Sequence, residues 1–228
     1  MDTISPDDAA PPRPAAPLHA TLTSALEEAR FEAQVSPGAD DSALDLTVYS
    51  SKAPWQETTP EAASAWLAEN GLAAEVSLND GYCIVITLYT ARAVEKFIAV
   101  ALDPWMRAHT TATQLADVLD AHGLTFDVDV SAHFIEVALA DANLHSAVKV
   151  AALLSAPGIA DGLNVHRPRG VRRLADRVRW LLTGVVGSEV DITADPGCAH
   201  VQEHLTLRAT IDQARRLTQR LLHAPHSG

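Results

Sequence analysis

Six arginines and a histidine lie within fourteen residues, and a tryptophan follows them directly. They are His166, Arg167, Arg169, Arg172, Arg173, Arg177 and Arg179, followed by Trp180. Guanidinium groups match phosphates in geometry, and arginine and tryptophan are both favoured in protein interfaces. We therefore expect a protein contact through the six arginines and Trp180. Nucleic-acid binding through residues 166–180 is the alternative, and a solvated helix face is the third interpretation.

Carboxylates recur opposite the apolar positions of the predicted strands. Asp127 and Asp129 alternate with Val128 and Val130, and an i, i+2 pair on a strand points to one side. Other carboxylates in this pattern are Glu136, Asp45, Glu75 and Asp191. Neither a calcium-binding loop nor a catalytic acid/base pair accompanies them. We expect Asp127, Asp129 and Glu136 to form an acidic sheet face, either solvated or in contact with a second copy.

The sequence holds no motif that predicts a cofactor, a metal or a reaction. Cys198, His200 and His204 share one side of an extended strand, but the two histidines would lie roughly 13 Å apart, too far to share one ion. Glycine-rich phosphate loops and serine nucleophile turns do not occur. We therefore expect no metal, no cofactor and no enzyme activity, with an active site between two lobes as the alternative.

Helical periodicity predicts how the arginine segment is held. A helix over residues 171–182 would bury a stripe and turn its arginines and Trp180 to the opposite side. The predicted stripe consists of Val171, Leu174, Val178, Leu181 and Val185.

Residues 111–154 contain the clearest structural pattern, a helix, two alternating strands and a second helix. Thr111 and Gln114 fit a capping box at the helix start, and Gly123 fits its left-handed end. Weaker copies of the pattern precede and follow it, and one of them contains a strong turn signal at Asn79-Asp80-Gly81. The last copy predicts a helix near residues 211–222. The alternation predicts three sets of buried strand positions: Leu44, Leu46 and Val48; Ile84, Ile86 and Leu88; and Ile135, Val137 and Leu139. The sequence predicts an α+β fold: pseudo-repeated helix–β-hairpin–helix units forming antiparallel sheet covered by helices, with a duplicated origin.

The distribution of proline and glycine along the chain predicts four regions. Residues 1–17 contain five prolines and are expected to be a disordered tail. An N-terminal α/β lobe would cover residues 18–104, a C-terminal α/β lobe residues 105–222, and a flexible tail residues 223–228. Asp103-Pro104 is the expected break between the lobes, and the Gly- and Pro-rich residues 155–170 are a second candidate linker.

The charge is distributed unevenly. Residues 1–160 hold 22 acidic and 7 basic side chains, a net charge of −15, and residues 161–228 hold 7 and 10, a net charge of +3. An acidic body disfavours non-specific nucleic-acid binding by most of the surface. No apolar run approaches the roughly 20 residues that span a bilayer, so we expect a cytoplasmic protein without membrane contact. Arginine supplies 14 of the 17 basic residues, a usage typical of bacteria with GC-rich genomes.

These observations favour a non-catalytic interaction module of adaptor, chaperone-like or regulatory type that binds another protein and forms homo-oligomers. Small bacterial adaptor and secretion-chaperone-like proteins also wrap helices around antiparallel hairpins, a similarity of fold that carries little functional weight.

Overall fold

The computed structural model describes residues 15–40, 43–50, 53–55, 57–196 and 203–224. Within these residues the chain forms helices and two four-stranded antiparallel sheets, so the predicted α+β class is confirmed. Two compact units divide the chain between Met106 and Arg107. No helix of the described ranges is long and apolar enough to cross a membrane.

The first unit packs its helices on one face of a sheet with the strand order β1-β2-β4-β3. Its helices are α1 Ala15–Ala29, α2 Pro60–Glu69 and α3 Ala91–Phe97, and its strands are β1 Ala33–Pro37, β2 Leu44–Val48, β3 Ala74–Leu78 and β4 Ile84–Leu88. Alternate residues of β2 and β4 are buried, as predicted, because these central strands lie under the helices.

The second unit has the same order of strands, β5-β6-β8-β7. Its elements are α4 Asp103–Ala121, β5 Asp127–Val130, β6 Phe134–Leu139, α5 His145–Leu153, α6 Pro168–Val186, β7 Asp191–Asp195, β8 His204–Thr210 and α7 Ile211–Leu222. The buried side chains of β6 are Ile135, Val137 and Leu139, as predicted. The shared strand order is compatible with duplication, which stays a prediction.

The expected helix break at Asp103-Pro104 and the expected helix start at Thr111 are both wrong. Helix α4 begins at Asp103 and continues through Thr111, whose Oγ1 donates to Arg107 O one turn earlier. Pro104 has no N–H to donate, and the helix accommodates it directly after a π-helical turn instead of breaking there. A π-helical turn, Ile98–Leu102, directly precedes it, and the Asp103 N–H donates to Ile98 O. The boundary between the units therefore falls within α4.

Both chain ends are more ordered than expected where the structure describes them. Residues 15–17, predicted as part of the disordered tail, form the start of α1. Ala224, predicted in the flexible C-terminal tail, is buried against the core of the second unit. Residues 1–14 and 225–228 lie outside the described ranges.

Of the Gly- and Pro-rich residues 155–170, the last three begin α6 and the others form a loop that is anchored in the core of the second unit. Ile159 is buried in the core of the second unit, and Leu163 and Val165 pack against it. The main chain of Asn164 lies so close to Gly170 that an added Cβ at Gly170 would sit 1.8 Å from Asn164 O. This contact fixes the loop against the first turn of α6.

Titration of Tyr89 should report a hydrogen bond on the sheet of the first unit. Tyr89 Oη donates to Glu75 Oε2 over 2.6 Å, and this bond, helped by burial and nearby carboxylates, raises the pKa of Tyr89 to about 12. Because the pKa is raised on folding, the stabilising effect is complete below pH 10 and is lost as the pH rises through about 12. Near-ultraviolet titration should show tyrosine ionisation near pH 12.

Glu75→Gln should lower the pKa of Tyr89 toward its ordinary value, since the carboxylate acceptor is removed. Tyr82→Phe, at a tyrosine that is 85% exposed, is the control and should leave the ionisation near pH 12 unchanged. Ionisation near pH 12 that persists in Glu75→Gln would contradict the assignment of this pKa to the Tyr89–Glu75 hydrogen bond.

Candidate interaction surface

Helix α6 carries the predicted arginine segment and is longer than expected. It runs over Pro168–Val186 in place of residues 171–182, with Pro168 in the first turn and Gly187 ending it at a φ of 76°. Its buried side consists of Gly170, Val171, Leu174, Ala175, Val178, Leu182 and Val186. Leu181 and Val185, predicted as part of the buried stripe, are half-buried at its margin.

Trp180 projects from the side of α6 opposite the core. It follows Val171 by nine residues, which is two and a half helical turns, and 78% of its surface is exposed. Arg173 precedes Trp180 by seven residues and lies on the same side about 10 Å along the helix. Trp180 and Arg173 therefore lie on the same exposed side of α6, as the helical periodicity predicts.

The six predicted arginines divide into two groups. Arg177 donates from Nη1 to Ile159 O and Asp161 O over 2.6 and 3.0 Å. Arg179 donates from Nη2 to Ile192 O over 2.6 Å and from Nη1 to Asp176 Oδ1 over 3.2 Å. These two side chains attach α6 to the preceding loop and to β7. The other four, Arg167, Arg169, Arg172 and Arg173, are exposed.

An open groove lies beside Trp180, between the C-terminal halves of α6 and α7. Leu154, Leu181 and Val185 provide apolar surface in it, and Arg220 of α7 and His223, the residue after α7, also line it. Arg216 lies at the far end of the groove, where its Nη1 donates to Val186 O over 2.7 Å. The groove therefore joins the predicted α6 face to basic side chains of α7.

Gly184 keeps this groove open. It follows Trp180 by one helical turn on the same side of α6, and it lines the groove along its length. A Cβ added at Gly184 would meet no described atom within 4 Å. The space beside Gly184 is therefore open, and a side chain at this position would enter the groove.

The predicted acidic face lies on the side of the second sheet away from its helices. Asp127 and Asp129 are exposed and Glu136 is half-buried. Strand register places Asp129 opposite Glu136, Glu136 opposite Arg208, and Arg208 opposite Asp191. One arginine thus stands within a row of three carboxylates, and the face keeps a net negative charge.

Arg208 holds Glu136 in place on this face. Its Nε lies 3.3 Å from Glu136 Oε1, and its guanidinium carbon lies 4.3 Å from the centre of the Phe134 ring. Both partners of the ion pair are about half exposed, so the pair contributes about 0–1 kcal/mol to stability. Asp127 and Asp129 are consequently the more accessible of the three predicted acidic residues.

No family model, curated protein or solved structure matches this chain.

The histidine and cysteine pattern lies mostly outside the described residues. Cys198 and His200 fall in the undescribed range 197–202, and His204 is the first residue of β8. Among the residues that the structure describes, no three His, Cys, Asp or Glu side chains are grouped to hold a metal ion.

Sequence reasoning missed two contributions to these surfaces. Arg216, Arg220 and His223 join the α6 face because α7 packs against α6. Arg208 joins the acidic face because β8 pairs with β6 across 70 residues of chain. The spacing of Arg216, Arg220 and His223, one turn apart along one side of α7, was the available signal, but it does not reveal which helix lies beside them.

Proposed function

We propose that the chain is a non-catalytic protein-interaction module, of adaptor, chaperone-like or regulatory type, that self-associates through the exposed side of α6. The supporting observation is the exposure of Trp180 among exposed arginines. A tryptophan can remove roughly 150–250 Å² from water, worth roughly 4–6 kcal/mol at about 25 cal/mol per Å² before the entropic costs of association. Tryptophan and arginine also supply most interface hot spots.

The acidic face around Asp127 and Asp129 is proposed as the complementary surface on a second copy. It carries the opposite charge to Arg172 and Arg173, and complementary charge favours encounter and sets orientation. Contact between two different surfaces of identical chains is head-to-tail, so association can extend beyond a dimer into a ring or a chain.

The test is the double substitution Trp180→Ala with Arg173→Glu. Both residues are exposed on α6, so the variant should keep the wild-type circular dichroism spectrum and lose self-association. Light scattering coupled to size-exclusion chromatography would measure the mass, and affinity capture from the native host would measure partner binding.

The matched control is Tyr82→Ala with Arg92→Glu, which removes another exposed aromatic ring and reverses another exposed arginine. The control should behave as wild type. If the Trp180 variant keeps both its mass and its captured partners, the proposal is wrong.

Nucleic-acid association is the second candidate, because exposed arginines beside an aromatic ring also occur in proteins that bind single strands. An electrophoretic shift assay would then show binding that weakens steeply with salt. Absence of a shift at about 50 mM salt, where phosphate contacts are strong, would remove this candidate.

A further inference from the structure

Among the described residues, the groove between α6 and α7 is lined by basic side chains and by no acidic one. The two adjoining depressions that form it share Gly184, Val185, Arg220 and His223, and no described Asp or Glu lines either of them. This is unusual for a chain with 29 acidic and 17 basic residues. The groove therefore favours a negatively charged occupant, although the net charge of the whole chain is negative.

The depression beside Trp180 has an aliphatic part. Leu154, Leu181 and Val185 provide this surface, and Trp180, Arg220 and His223 line the same depression. Bases bind to successive aromatic rings on which they stack, whereas aliphatic surface binds aliphatic and aromatic side chains. Aliphatic surface next to basic side chains matches a peptide with apolar and acidic residues better than it matches a nucleic acid.

Gly184 points to the same use. Glycine in the interior of a helix is less favourable than alanine, and the space beside Gly184 would accept a side chain without a clash. The helix nevertheless has glycine at the position where any side chain would enter the groove next to Trp180. Binding of a partner in the groove would explain why residue 184 is glycine, whereas packing within the unit does not.

We propose that this groove binds an acidic amphipathic helix of another protein, with its apolar side chains against Leu154, Leu181 and Val185 and its carboxylates facing Arg220 and His223. This is the helix-in-groove mode of recognition. The inference rests on the proposed interaction function and adds the chemical class of the partner.

The experiment uses two synthetic helical probes of about five turns with leucine at every third or fourth position. One probe carries glutamate at the flanking positions and the other carries lysine. Fluorescence anisotropy of the labelled peptides with the full chain should show saturable binding of the glutamate probe and none of the lysine probe.

Three variants locate the site. Arg220→Glu and Gly184→Leu should each weaken binding of the glutamate probe by about tenfold or more. Arg215→Glu reverses a neighbouring exposed arginine of α7 that does not line the groove, and it should change the affinity less than about threefold. Equal weakening by Arg215→Glu and Arg220→Glu would mean general charge attraction and would overturn the proposal.

Two further outcomes separate the inference from its premise. If the glutamate probe does not bind while Trp180→Ala with Arg173→Glu still abolishes self-association, the interaction function stands and the acidic helix is wrong. If a labelled oligothymidine binds in preference to the glutamate probe and Arg220→Glu abolishes that binding, the groove recognises single strands and the inference is overturned.

Discussion

Gly170→Ala should lower the free energy of unfolding by about 3 kcal/mol or more, the upper part of the range for inserting a methyl group into packed structure. The new Cβ would lie 1.8 Å from Asn164 O and 2.5 Å from the carbonyl carbon of Asn164. These are main-chain atoms, so rotation of a side chain cannot relieve the clash. Either α6 or the loop that contains Ile159 must move, and both belong to the core of the second unit.

Gly184→Ala is the matched control, because it makes the same change in the same helix. Its Cβ would meet open space, so this variant should gain about 1 kcal/mol from the higher helix propensity of alanine. Urea denaturation followed by circular dichroism would measure both differences. If both variants change the free energy of unfolding in the same direction, the close approach of Asn164 to Gly170 does not exclude a side chain at residue 170.

Gln213→Ala should cost about 2–4 kcal/mol, since several hydrogen bonds meet on one buried side chain. Its Nε2 donates to Glu189 O and Ser188 Oγ over 2.6 and 3.0 Å, and its Oε1 accepts from the Thr210 N–H over 2.8 Å. The substitution removes the capping box of α7 and the link from α7 to the segment between α6 and β7. Loss of this link should destabilise the contact between α6 and α7.

Gln114→Ala is the control for this prediction. Gln114 stands in the same Thr-x-x-Gln spacing, but it is exposed inside α4, and its replacement should change stability by less than about 0.5 kcal/mol. Urea denaturation of the two variants compares the same Gln→Ala change at a buried and at an exposed position. A cost for Gln213→Ala no larger than that for Gln114→Ala would show that the buried amide is not needed.

The two Thr-x-x-Gln sequences explain both a success and a failure of sequence reasoning. Thr210 ends an alternating strand, so the chain before it is not helical, and α7 runs over Ile211–Leu222 as its periodicity predicts. Thr111 follows residues that are themselves compatible with a helix, and the same spacing lies in the interior of α4. The motif permits a helix start, and the preceding residues decide whether one occurs.

Local periodicity predicted the strands, their buried sides and the wet side of α6, because these depend on neighbours in sequence. The pairing of β6 with β8 and the packing of α6 on α7 depend on contacts distant in sequence. Arg208 and Arg220 therefore joined the two surfaces only once the fold was known. The two glycines of α6 could not be distinguished either, because the sequence does not show that only Gly170 faces another main chain.

The strand order common to both sheets leaves β1, β3, β5 and β7 as the outermost strands, each with one side on which no described strand pairs. In the described residues, three of these margins carry features that oppose strand addition. Asp127 and Asp129 lie on β5, Asp191 and Asp195 lie on β7, and β1 ends at Pro37, which has no N–H to donate. Two copies joined margin to margin through β5 or β7 would oppose carboxylate with carboxylate. The fold thus resists growth of a continuous intermolecular sheet. Association through helix α6 does not use a strand margin, so it does not promote such growth.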